Sequence, residues 1–134
     1  VIRRMVDDLA FPIRIVGAPI IREANGLAMS SRNQYLSPRQ HEQAAVIFQT
    51  LTWMKNRHVA GDAPSDIESA AMLRLRDNGF NADYAAIRNV SDLAELPASP
   101  TWQQIPAIAL IAARLGETRL IDNLDLPASN EIGV

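Results

Sequence analysis

Two hydroxyls and a guanidinium stand together at Ser30-Ser31-Arg32, inside the string Leu27-Ala28-Met29-Ser30-Ser31-Arg32-Asn33. Serine hydroxyls beside a cation that stays protonated make a compact set of hydrogen-bonding groups, and phosphate oxygens are the ligand that such a set fits. Upstream, Pro19-Ile20-Ile21-Arg22-Glu23 runs into Ala24-Asn25-Gly26, a turn signal that brings the segment in from an apolar strand. A plainer reading fits the same residues: a polar turn in which Ser30 caps a short helical turn. Residue types alone leave both readings open.

Something must position that segment, and 134 residues suffice for one domain with a real core. Although 48% of the residues are hydrophobic, no apolar run approaches the roughly 20 needed to span a bilayer, so a membrane role is not expected. Cysteine is absent, which removes disulfides and thiolate zinc ligation. Two histidines, His41 and His58, offer little for a metal, and no metal site is expected; residence in the cytoplasm fits. The net charge of −2 is unevenly spread: residues 1–60 carry eight Lys/Arg against four Asp/Glu, residues 61–134 five against eleven. A basic first half suits a small polyanion. Scattered arginines, few aromatics and an acidic second half argue against nucleic acid.

Ile2, Met5, Val6 and Leu9 fall at helical spacing, and the chain opens inside this pattern without an N-cap, so a piece of a longer protein is expected. No secretory signal is evident. Ile13, Ile15 and Val16 suit a strand after Pro12, the last of a parallel sheet lying upstream, with the Ser-Ser-Arg loop following it where open α/β sheets hold ligands. Ser37-Pro38-Arg39-Gln40 is the clearest helix start, with a cap, a proline at the first helical position and a glutamine three residues after the cap. Ala44, Ala45, Ile47, Phe48, Leu51, Thr52, Met54 and Lys55 carry that helix to His58, which would favour its charged form at the C-terminus. His41, on the first turn, would face solvent.

After a linker at Gly61-Asp62-Ala63-Pro64, Ser65 is the expected cap of a second helix with Ile67, Ala70, Ala71, Leu73 and Leu75 inward, ending at Asn78-Gly79-Phe80. Asp66 and Glu68 read as structural. Strands follow at 84–90, 107–114 and 118–124, the last two joined at Gly116-Glu117. The expected fold class is α+β: the end of a Rossmann-like α/β unit, then a small domain with a three-stranded antiparallel sheet and two main helices. Residues 1–36 would be the remnant of a nucleotide-binding domain with its phosphate loop, 37–126 a C-terminal lid, and 127–134 a flexible tail.

Several strings together resemble one family. Ile15-Val16-Gly17-Ala18-Pro19, Arg22-Glu23-Ala24-Asn25-Gly26-Leu27-Ala28-Met29-Ser30-Ser31-Arg32-Asn33 and Tyr35-Leu36 are similar to the C-terminal half of the pantothenate synthetases (pantoate–β-alanine ligases). The likeness resumes at Leu75 through Tyr84, at Ile87-Arg88 and at Arg119-Leu120-Ile121-Asp122-Asn123. It implies a two-step ligase of the nucleotidyltransferase superfamily, serving the coenzyme A pathway: pantoate attacks the α-phosphorus of ATP, and β-alanine then displaces AMP from pantoyl adenylate. It also implies a Rossmann-like N-terminal domain, a small C-terminal domain closing over the nucleotide, and a homodimeric full-length enzyme. Met29-Ser30-Ser31-Arg32 would be the counterpart of the KMSKS loop of class I aminoacyl-tRNA synthetases, with Arg32 in place of the second lysine. Ile21 and the Met29 backbone would border adenine, while Ser30, Ser31 and Arg32 would grip the phosphates.

The resemblance places the remaining ATP, magnesium and pantoate ligands upstream of Val1. Mg²⁺ is therefore expected for the full-length enzyme but not held here, and the chain alone is expected to be inactive. The alternatives are the lid of another nucleotidyltransferase, or a noncatalytic binding or interaction domain. A synthetase loop must present Ser30, Ser31 and Arg32 toward one open face; a noncatalytic module could leave Arg32 paired to an acid.

Overall fold

The computed structural model describes residues 2–10, 12 and 17–128. Three α-helices, α1 (Ile2–Asp8), α2 (Pro38–Val59) and α3 (Pro64–Asp77), accompany three strands, β1 (Asn81–Asn89), β2 (Ala107–Leu115) and β3 (Thr118–Leu126). Short 3-10 helices span Ser31–Tyr35 and Pro100–Gln104. The expected strand at Ile13, Ile15 and Val16 lies outside the described residues, as do residues 129–134 of the expected flexible tail. Ala128, also assigned to that tail, is buried.

Helix α2 starts as its sequence dictates. The Ser37 hydroxyl accepts from Gln40 N, the Gln40 side chain accepts from Ser37 N, and Pro38 needs no partner for a missing N–H. Its inward face is Ala44, Ala45, Ile47, Thr50, Leu51, Met54 and His58. Thr50 rather than Thr52 is buried, and its hydroxyl is satisfied by donating to Val46 O at 2.7 Å. Helix α3 departs from expectation at its cap. Ala63 takes the cap position with no side-chain bond, because Pro64 fixes the first helical residue and draws Ser65 into the helix. Ile67, Ala71 and Leu75 point inward, while Leu73, expected there, is 50% exposed.

The sheet order is β1-β2-β3, antiparallel throughout, and its three strands are longer than the sequence pattern indicated. Ala107, Ala109, Ile111, Ala113 and Leu115 of β2 share the core with Leu120 and Leu126 of β3, Ala85 and Ile87 of β1, and the inward faces of α2 and α3. Glu68 of α3 accepts from Ile87 N and from Arg88 Nη1, both at 2.8 Å, so it satisfies an edge-strand amide and serves structure as expected. Of α1, only Val6 is buried; Ile2, Met5 and Leu9, expected on its apolar face, are exposed.

His58 corrects a sequence expectation. Rather than favouring its cation at the helix end, it is buried, 4% exposed, with its ring centroid 5.1 Å from that of Trp102. Its Nδ1 has no hydrogen-bond partner among the described residues, and burial pushes its pKa below the ordinary imidazole value. Desolvation outweighs the favourable helix terminus.

Candidate functional site

The loop carrying Ser30-Ser31-Arg32 is built from a tight reversal. Arg22 and Ala28 form an antiparallel bridge, Glu23 N donates to Leu27 O at 2.8 Å, and Met29 N donates to Ile21 O at 2.9 Å. The Asn25 side chain accepts from Leu27 N, and Gly26 adopts φ 90° at the apex. Only glycine fits there. A Cβ on Gly26 would sit 2.5 Å from the Phe48 ring, besides being strained by that φ. Leu27 then drops into the main core, 4% exposed.

Arg22 fastens this reversal to the sheet. Its Nη2 donates to Asp122 Oδ1 at 3.0 Å and its Nη1 to Asp122 Oδ2, a two-pronged pair between side chains 19% and 2% exposed. The same guanidinium donates to Gly26 O at 3.1 Å and Asn123 O at 3.3 Å, and lies 4.1 Å over the Phe48 ring. Phe48 of α2 is the shelf for this cation. A second set of polar contacts holds the 3-10 helix: Asn33 Nδ2 donates to Glu23 Oε2 at 2.8 Å and to Ala28 O at 3.0 Å. Glu23 Oε1 also meets His41 Nε2 at 2.9 Å, and Asn25 Nδ2 donates to His41 O. His41 is thus half-buried and partnered rather than simply solvent-facing.

Against this fixed base, the tip is bare. Ser30 caps the Ser31–Tyr35 turn by accepting from Arg32 N at 3.2 Å, as the plainer reading expects. That bond engages an oxygen lone pair and leaves the hydroxyl proton free to donate elsewhere. Ser31 and Arg32 are exposed, and the Arg32 guanidinium has no carboxylate partner among the described residues. Ile21 and Met29 are 70% and 60% exposed on the same reversal. All five expected site residues, Ile21, Met29, Ser30, Ser31 and Arg32, therefore lie together on one open segment.

Arg32 opens onto a groove of about 780 Å³ between the loop and the β2–β3 turn, lined also by Tyr35, Gln40, Gly116, Glu117, Thr118 and Arg119. A small cavity of about 30 Å³ continues beneath it, with Ser30, Asn33 and Asp122 among its walls and Arg32 and Arg119 shared with the groove. Arg119 Nε donates to Asp83 Oδ2 at 2.9 Å, and that hydrogen bond holds the guanidinium pKa above its usual range. Among the described residues no group of three or more His, Cys, Asp or Glu is placed to hold a metal ion.

Sequence reasoning missed Arg22, Glu23, Asn33 and Asp122 as the residues that fix the loop, and the groove wall from Gly116 to Arg119. Arg22 and Asp122 both stood in strings singled out above, but their contact joins positions 100 residues apart.

A three-stranded antiparallel sheet under two helices, carrying a fixed loop whose guanidinium lines an open groove, defines a small α+β domain. The chain belongs to the pantoate–β-alanine ligase family: the profile described as Pantoate-beta-alanine ligase matches residues 1–125. It is 56% identical over 125 residues to the pantothenate synthetase of Xylella fastidiosa (strain 9a5c), covering 93% of this chain and 43% of that protein. Identity to the pantothenate synthetase of Stenotrophomonas maltophilia (strain K279a) is 53% with the same coverage. The crystal structure of pantothenate synthetase from Thermus thermophilus superposes with a TM-score of 0.82 at 39% identity, covering 94% of this chain and 45% of that one. The Francisella tularensis pantoate–β-alanine ligase, complexed with beta-gamma ATP and β-alanine, shares the fold at a TM-score of 0.61, with 22% identity over 92% of this chain and 38% of that one. The chain spans a little under half the length of the curated relatives it matches. No helix among the described residues is long and apolar enough to cross a membrane.

Proposed function

We propose that this chain supplies the phosphate-gripping loop and lid of a cytoplasmic ligase that condenses pantoate with β-alanine at the expense of ATP. Pantoate's carboxylate, already ionised at neutral pH, attacks the α-phosphorus of ATP and releases pyrophosphate. The amine of β-alanine then displaces AMP to give pantothenate. Negative charge gathers on the transferring and leaving oxygens, and fixed donors aimed at them lower the barrier without reorganising. Arg32, Ser30 and Ser31 play that part, with Ile21 and the Met29 backbone beside the adenine.

The observation that carries this reading is the unpaired Arg32 guanidinium at the mouth of a groove, on a loop whose base is tied down. A noncatalytic module has no need to hold an arginine unneutralised in that place. Mg²⁺ accompanies the ATP, with its ligands outside this chain; the full-length enzyme works as a homodimer, and the 134 residues alone release no AMP. The loop's bonds to β3 and α2 support counting residues from about 20 onward with the lid rather than dividing the chain after residue 36, so that the phosphate grip travels with the lid when it closes and sheds water.

The test is pantoate-dependent exchange of pyrophosphate into ATP by the full-length protein carrying Arg32→Ala. A charged hydrogen bond of roughly 1.5–3 kcal/mol predicts a loss of about ten- to a hundred-fold. Undiminished exchange would refute the assignment.

A further inference from the structure

We propose that Arg119 is a second phosphate-binding residue, which with Thr118 and Gln40 takes the outer phosphates of a condensed phosphate such as the pyrophosphate portion of a nucleoside triphosphate. The inference rests on the reading of Arg32 given above, and adds to it the opposite wall of the groove. Arg32 and Arg119 arrive from the two sides of the same space and line both the groove and the small cavity beneath it. They come from separate elements, the 3-10 helix and the start of β3.

Arg119 is held from behind. Its Nε is engaged by Asp83, while its two terminal nitrogens have no partner among the described residues. An arginine anchored through Nε keeps the planar prong that binds two phosphate oxygens at once, and loses less freedom when it does so. Gln40 is anchored likewise. The capping box takes its Oε1, which turns Nε2 toward the hairpin, 2.9 Å from where a Cβ on Gly116 would stand. Gly116, at φ 61°, has no side chain to fill that space. The Thr118 hydroxyl is also without a partner among the described residues, on the same wall.

Glu117 lines the groove too. With Asp83 already paired to Arg119, two guanidiniums stand against two carboxylates, so the groove is close to neutral in formal charge, and its fit to linked phosphates rests on the free donors that Arg32 and Arg119 bring from two separate elements. A groove of about 780 Å³ accommodates such a ligand in volume.

Inorganic pyrophosphate, ATP and AMP titrated separately into the full-length protein, read by calorimetry and by amide chemical shifts, provide the test. Pyrophosphate and ATP should shift amides in both 30–33 and 116–120. Arg119→Ala should weaken both ligands about tenfold or more, the scale of a lost charged hydrogen bond, and leave AMP within about twofold. Arg119→Gln keeps the aliphatic stem and should weaken them similarly, and unchanged melting of either variant separates lost binding from lost folding. Asp83→Asn should give a smaller loss, because the prong remains but its anchor weakens. If both Arg119 variants bind pyrophosphate and ATP normally while Arg32→Ala does not, the inference falls and the function stands. Equal weakening of AMP, or no uptake of pyrophosphate by the unaltered protein, also overturns it; Arg32 is judged separately by the exchange assay.

Discussion

The loop from Ile21 to Tyr35 has a base and a tip that are built on opposite rules. At the base, Arg22, Glu23, Asn25 and Asn33 are all engaged by named partners, and Asp122 is nearly dry. At the tip, Ser31 and Arg32 reach into open space with no partner among the described residues. Buried polar groups are costly unless satisfied, so the base commits every donor it can to holding a shape. The tip keeps its donors uncommitted, which a protein has reason to do where a ligand will take them. The far end of α2 shares one cost with the base: His58 Nδ1, like Asn33 Oδ1, is buried with no hydrogen-bond partner among the described residues, and each is a burden on stability.

Breaking the base should show most strongly. Asp122→Ala strands Arg22 in a mostly buried site and should cost about 3 kcal/mol in denaturant unfolding, at the low end for buried pairs because Arg22 is 19% exposed. The double change Arg22→Met with Asp122→Leu should recover much of that loss, since neither charge is then left alone. Gly26→Ala adds a left-handed strain and a clash with Phe48, and should cost about 2 kcal/mol by the same measurement. Ser37→Ala removes half of the capping box of α2 and should cost about 1 kcal/mol.

His58 sharpens the contrast through pH. Its folded pKa lies below the unfolded value near 6.5, so below that pH the unfolded chain binds more protons than the folded one. Its effect is absent above about pH 7, and stability falls progressively as pH drops below about 6.5. Melting temperatures across pH 7 to 5 should decline in the unaltered chain and decline less in His58→Gln. An identical slope would remove His58 from the account.

Much of the scaffold was legible because its causes are local. Ser37, Pro38 and Gln40 announce a helix start within four residues, and Gly116-Glu117 closes the β2–β3 hairpin between two apolar runs. The five expected site residues were named from their strings, and the structure places them exposed on one loop, which leaves their role to the experiments above. Errors arose where position within an element mattered. Thr50 and Thr52 differ only in helical phase, and Ser65 lost its cap because Pro64 had already set the first turn. What the sequence could not display was the long-range chemistry. Arg22 and Asp122 meet only after β3 is laid beside β2, and the Arg119 side of the groove exists only once the hairpin has folded against the start of α2.

Arg32→Ala, the change with the smallest expected effect on stability, tests the division between base and tip most directly when melting and ATP affinity are measured on the same sample. An exposed, unpaired side chain predicts a shift in stability within about 0.5 kcal/mol, together with a loss of ATP affinity of about tenfold or more. A variant that melts early and still binds ATP as tightly as the unaltered chain would show that Arg32 belongs to the base, and would contradict the account.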